Sequence, residues 1–255
     1  MKNKRYAIGK VMVSQTDPAD TQAKITAAVN LGLNGYVCIA NMRSVIYGNQ
    51  HEDYAEVLNG SFLTTPDGMP LVWCARCWGL KNVQRTTGPD LFVSMLKDDT
   101  SGIRHFLLGD TDETLAALTS RDEYKNIVGV YSPPFCDVDE FDYHGIAKRI
   151  NESGANVVWV SLRAPKQDYF AVKLLPLLDK KIVIGVGAAF RFALGEYHHP
   201  NAMMQKAGLT GLFWRKGHPF KLLKTYIVFV LYLIRFITWI WFLRIFSTNK
   251  EQWKS

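Results

Sequence analysis

Apolar residues along this chain fall into short, nearly unbroken runs, separated by stretches with helical period. Five runs rich in β-branched residues read as strands: GYVCIA (35–40), RHFLLG (104–109), IVGVY (127–131), NVVWVSL (156–162) and KIVIGVG (181–187). The segments between them carry helix signals. DPADTQAKITAAVNLG (17–32) ends on a glycine suited to a helix C-terminus, and GPDLFVSMLKD (88–98) has Pro89 in its first turn. DTDETLAALTSRD (110–122) opens with capping residues and acids, which favour a helix N-terminus. DEFDYHGIAKRINESG (139–154) and KQDYFAVKLLPLLD (166–179) complete the alternation. Continuous apolar strands alternating with helices predict an α/β fold: a Rossmann-like, mostly parallel sheet with helices on both faces. There is no internal repeat and no low-complexity segment.

With 255 residues, 48% of them hydrophobic, the chain can form one large domain or a domain with an appendage. Charge decides between these. Nine of the 30 basic residues lie from Lys206 onward with one acid, Glu251, which leaves the rest nearly neutral at 21 basic against 22 acidic residues. The predicted division is a body over 1–205 and a basic, apolar appendage over 206–255. The appendage holds YIVFVLYLIRFITWIWFLRIF (226–246), interrupted only by Arg235, Thr238 and Arg244. About twenty apolar residues can cross a bilayer, whereas basic, Trp-rich helices can lie in its interface. Basic residues flank both ends, so they set no orientation. Membrane lipids are the expected partner; the alternative is a hydrophobic helix buried between copies in a homo-oligomer. Because MKNKRYAIGKVMV lacks a long apolar core and a small-residue cleavage site, no signal peptide is expected. The body should then sit at the cytoplasmic face of the membrane.

Four cysteines, Cys38, Cys74, Cys77 and Cys136, suit a reducing compartment. Cys74 and Cys77 have CxxC spacing, but no second Cys/His pair stands near, and the pair reads as structural. In parallel sheets, ligands sit beyond the carboxyl ends of the strands. Those ends carry IANMR (39–43), LGDTDE (108–113), VYSPPF (130–135), SLRAPKQD (161–168) and GVGAAF (185–190). Glycines there, Gly109 and Gly187 among them, and the helix starts offer N–H groups to phosphate. No G-x-G-x-x-G follows the first strand and no Walker loop occurs, which argues against a standard dinucleotide enzyme or P-loop ATPase.

One stretch, LTTPDGMPLVW (63–73), sets a lone carboxylate, Asp67, in a Pro-Asp-Gly turn before an apolar run. From the residues alone it can cap the helix starting near Met69, stabilise the turn or do chemistry. With QRTTGPDLF (84–92), HFLLGDTDET (105–114), APKQDYF (164–170) and GVGAAFRFALGE (185–196), the order and spacing resemble the WecG/TagA/CpsF glycosyltransferases from about residue 6 to about residue 226. The resemblance implies a body that takes a UDP-sugar donor, often UDP-N-acetylmannosamine. The sugar would pass to one already held on a polyprenyl diphosphate, without a DXD metal motif or other cofactor. It also implies a basic appendage that meets the membrane.

Under that resemblance Asp67 is the base that deprotonates the acceptor hydroxyl, and departing UDP needs cationic or N–H partners rather than a general acid. Arg85 can pair with diphosphate oxygens, and Asp90 belongs to the same Arg-x-x-Gly-x-Asp signature. Asn41 matches a position near the substrate, with a helix start as the alternative. Gln167 and Asp168 match a Gln-Glu pair, with helix initiation again the alternative. Arg215, Lys216, Lys221 and Lys224 would hold lipid headgroups or the acceptor diphosphate. The chain departs from the family at Ile39 for Thr, at Arg163-Ala164 for Gly and at His198-His199-Pro200 for Arg-Ala-Pro. GLTGLFWRKGHP (208–219) also loses a Glu. A non-catalytic, membrane-associated nucleotide-sugar binder or scaffold is the alternative these departures raise. A nucleic-acid binder would use the basic patch, but Trp-rich apolar sequence fused to that patch favours membrane over nucleic acid.

Overall fold

The structure, a computed structural model, describes residues 3–198 and beyond them only Met203, Ile234 and Thr238. A hairpin comes first, β1 (Arg5–Ile8) antiparallel to β2 (Val11–Ser14). Asp17 caps α1 (Pro18–Asn30), its carboxylate accepting the Asp20 N–H at 2.9 Å. The helix closes with Gly32 N–H on the Val29 carbonyl and Leu33 N–H on the Ala28 carbonyl, the paired bonds that let a glycine end a helix. β3 (Gly35–Ala40) leads into α2 (Met42–Gln50) and α3 (Glu52–Gly60), and β4 (Leu63–Pro66) into α4 (Met69–Cys77) and α5 (Gly88–Leu96). Strict alternation follows: β5 (His105–Gly109), α6 (Asp112–Thr119), β6 (Ile127–Tyr131), α7 (Tyr143–Ser153), β7 (Val157–Ser161), α8 (Lys166–Leu174), β8 (Ile182–Gly185) and α9 (Ala189–Ala193).

Six of these strands form one sheet in the order β4-β3-β8-β7-β5-β6, and each neighbouring pair is parallel. The side-chain period of two sends alternate residues of β3 to opposite faces. Tyr36 and Cys38 join a core with Val45, Tyr54, Leu58, Ile150 and Phe170 from α2, α3, α7 and α8. Val37 and Ile39 join a second core with Ile25, Phe92, Leu115 and Phe190 from α1, α5, α6 and α9. Helices therefore cover both faces, as the unbroken apolar strands predict. The α/β class and the parallel sheet match expectation.

Three differences have physical causes. The run 127–131 is an edge strand rather than a buried one, with Val128 and Val130 at 38% and 40% exposure. The segment 166–179 is not one helix: α8 stops at Leu174 and a single 3₁₀ turn spans Leu175–Leu177, because Pro176 donates no N–H and crowds the preceding turn. The hairpin and β4 were not among the predicted strands. Among the described residues no helix is long and apolar enough to cross a membrane. The predicted boundary between 205 and 206, Arg215, Lys216, Lys221 and Lys224 lie outside the described residues, as does the run 226–246 apart from Ile234 and Thr238.

Candidate active site

The carboxyl ends of β3, β4, β7 and β8 open on one cavity of about 550 Å³. Each end contributes differently. Asn41 and Arg43 follow β3, Asp67 follows β4, Arg163 follows β7, and Val186, Gly187 and Ala188 follow β8. The first turn of α5, Thr87 to Pro89, closes one side, while Tyr47 and Tyr54 of α2 and α3 form another wall. Close approach makes the α5 wall possible: a Cβ on Gly88 would stand 2.9 Å from the Val186 carbonyl oxygen.

Asp67 is placed by backbone. Its N–H donates to the Ala40 carbonyl at 2.7 Å, which continues the β3–β4 ladder one residue past the strand. Gly68 then adopts φ 159, a conformation a side chain resists, and turns the chain into α4. That helix has no side-chain cap, so the carboxylate is not spent on capping. Thr86 N–H donates to the Pro66 carbonyl at 3.0 Å and draws the following loop against the same strand end. This brings Arg85 Nε to 3.5 Å from Asp67 Oδ1. The Asp67 side chain is 26% accessible, and it lines the cavity. Burial pushes its pKa up to about 6, against the pull of Arg85 and with a smaller push from Asp90. A carboxylate so poised is largely ionised at neutral pH and more basic than an exposed one.

Gln167 and Asp168 are both buried, and they do different work. The Gln167 side-chain oxygen accepts the Gly187 N–H at 2.9 Å, and Ser161 Oγ donates to the Gly187 carbonyl at 2.6 Å. Gln167 thus ties the turn after β7 to the turn after β8. The Gly187 N–H, expected from the sequence to face phosphate, is already engaged by this amide. Asp168 lies behind the wall: its Oδ2 accepts the Tyr54 hydroxyl at 2.6 Å, and its Oδ1 has no hydrogen-bond partner. Burial pushes its pKa up to about 6, against the hydrogen bond of Tyr54 and the smaller pull of the neighbouring Cys38 and Gln167 side chains.

The other sequence candidates separate. Asn41 lines the cavity and also caps α2, its Oδ1 accepting from the N–H groups of Arg43 at 2.9 Å and Ser44 at 3.2 Å. Asp90 is exposed in the first turn of α5, where Thr87 Oγ1 donates to it at 2.5 Å, and it does not line the cavity. Gly109 also stands apart from the cavity, with the Ser161 carbonyl oxygen 2.7 Å from the position of a Cβ, so it serves the close approach of β5 and β7. Sequence reasoning did not single out Arg43, Tyr47, Tyr54 or Thr87, and it treated Arg163 only as a departure. Among the described residues no group of three His, Cys, Asp or Glu side chains is placed to hold a metal ion, and Cys74 and Cys77 are free thiols one turn apart on α4.

Fold and cavity define an α/β protein whose arginine-lined ligand cleft, with a desolvated carboxylate, opens at the carboxyl ends of a parallel sheet. The chain belongs to the glycosyl transferase WecG/TagA/CpsF family, whose model matches residues 6–247. It is 26% identical over 166 residues to an N-acetylglucosaminyldiphosphoundecaprenol N-acetyl-beta-D-mannosaminyltransferase of Bacillus spizizenii W23, covering 65% of this chain and 64% of that one. To the protein of the same name from Bacillus subtilis 168 it is 28% identical over 161 residues, covering 62% and 61%. The match spans less than two thirds of either relative.

Proposed function

We propose that this chain is an inverting glycosyltransferase of surface-polymer assembly. It moves N-acetylmannosamine or a related hexose from a UDP-sugar to a sugar carried on a polyprenyl diphosphate, at the cytoplasmic face of the membrane. Asp67 carries the reading: one desolvated carboxylate, loosely paired with Arg85, at the floor of a cleft of about 550 Å³ where a Rossmann-like sheet receives ligands. In the proposed step Asp67 takes the acceptor hydroxyl proton and the acceptor oxygen forms its bond to the anomeric carbon. The bond from that carbon to the diphosphate breaks, and its electron pair leaves with UDP. The reactions named for the two Bacillus relatives support this choice of sugar and lipid acceptor.

The test incubates the full chain in detergent or vesicles with radiolabelled UDP-N-acetylmannosamine and a polyprenyl-diphosphate-linked N-acetylglucosamine. Asp67→Asn should lower transfer by roughly 10²–10⁴-fold, the range for a general base, with UDP binding kept and the melting temperature no lower than wild type. Near-normal turnover by this variant removes Asp67 as the base. A wild-type protein that binds UDP and transfers nothing across a panel of UDP-sugars points instead to a binding or scaffold role.

A further inference from the structure

We infer that Arg43 and Arg163 together grip the diphosphate of the donor, separately from the Arg85 that stands beside Asp67. The inference rests on the UDP-sugar reading above. The two arginines come from different connections, Arg43 from the first turn of α2 after β3 and Arg163 from the turn after β7. β3 and β7 are the two neighbours of β8 in the sheet. Their ends are therefore roughly 10 Å apart, two strand spacings, and long side chains from either side can meet over the end of β8. Both residues are exposed and line the cavity, and neither guanidinium is ion-paired or hydrogen-bonded among the described residues. Arg163 holds φ 62, a conformation uncommon for a residue with a long side chain. Such an outlier beside a ligand cleft is a reason to look for function.

Charge selects the ligand. Among the described residues, the charged side chains lining the cavity are Arg43, Arg85, Arg163 and Asp67, three cations against one anion. A sugar nucleotide bears one negative charge on each phosphate of its diphosphate, which matches that excess. Cleavage of the sugar–oxygen bond leaves a further charge on UDP, and the pair would meet it with forked hydrogen bonds. The Gly187 N–H cannot share this task without leaving Gln167.

Calorimetric titration of the full chain in detergent, at fixed salt, tests the pair with two probes, UDP and farnesyl diphosphate. The variants are Arg43→Gln, Arg163→Gly and both together. Glycine suits φ 62, so Arg163→Gly should keep the fold, and melting temperatures check this. Each single change should weaken UDP binding roughly ten- to hundredfold, the range for a charge-assisted hydrogen bond, and leave farnesyl diphosphate binding in place. UDP affinity within about twofold of wild type in the double variant overturns the assignment. So does weakening confined to farnesyl diphosphate, which would give the arginines to the acceptor. If the wild-type chain fails to bind UDP, the donor reading falls and this inference with it. UDP bound equally by wild type and variants removes the arginine pair alone.

Discussion

At the scale of single residues, the proposed transfer turns on how much water Asp67 loses. An exposed aspartate has a pKa near 3.8, and burial lifts this one to about 6 while Arg85 keeps it from rising further. Two consequences follow with opposite signs. The proposed base works only when ionised, so kcat/KM should fall about tenfold per pH unit below 6 and level off above about 7. A bell centred elsewhere, or a flat profile between pH 5 and 7, would assign the proton to another group. Stability runs the other way. Because the folded pKa is raised, the folded state holds the proton more tightly than the unfolded chain, and stability drops as pH rises from 3.8 through 6. Asp67→Asn removes that cost, so at pH 7.5 the variant should be as stable as wild type or more so, by up to about 3 kcal/mol in denaturant melts. A carboxylate that costs stability is visible in sequence only by its setting, here a Pro-Asp-Gly turn before an apolar run. Arg43 and Arg163 had no comparable signal. An arginine in a polar loop ordinarily reads as a solvated surface charge, and only the strand order brings these two together.

Elements carry the site through a few close approaches. The N-terminus of α5 sits on the turn after β8 because Gly88 has no Cβ to strike the Val186 carbonyl. Gly88→Ala would gain a fraction of a kcal/mol of helix propensity, but the obstruction is backbone and cannot rotate aside. A net loss of about 1–2 kcal/mol is expected, within the range for overpacked sites. UDP affinity should fall with it, since Thr87, Gly88 and Pro89 move as one wall. Thermal melts and UDP titration of this variant check both, and wild-type values in each would show that the wall is not held there. How legible the elements were follows the same logic. The five β-branched runs were readable because both of their faces, or nearly both, are apolar. β4 was not: it is four residues long, and its Thr64 and Thr65 are polar yet fully buried. Thr64 donates to the Leu58 carbonyl at 2.6 Å and its N–H to Ser14 at 3.0 Å, partners that only the folded hairpin and α3 supply. The hairpin's Gly9-Lys10 turn lies in a lysine-rich leader that reads as solvated.

For the molecule as a whole, the proposed function would have the cleft receive a soluble donor and the appendage meet the membrane that carries the acceptor. Among the described residues, those lining the cleft lie between Ile39 and Phe192, whereas the surplus positive charge lies from Lys206 onward. Charge and apolar sequence can be tested apart in the full chain. Replacing Arg215, Lys216, Lys221 and Lys224 with glutamine leaves the run 226–246 intact. Each basic residue near an anionic bilayer contributes about 1 kcal/mol, so the quadruple variant should lose roughly 10²–10³-fold of its affinity for anionic vesicles. It should keep its affinity for zwitterionic vesicles, which depends on the apolar run, and wild-type binding to anionic vesicles should weaken as salt screens the contacts. UDP binding in solution should be unchanged, because the contacts proposed for the donor diphosphate come from Arg43 and Arg163. Transfer to a lipid acceptor then separates two roles. If it falls only in proportion to vesicle binding, these residues recruit the protein to the surface. If it falls further at saturating vesicle concentration, they also hold the acceptor diphosphate over Asp67. Unchanged binding to anionic vesicles would mean that the apolar run alone accounts for attachment.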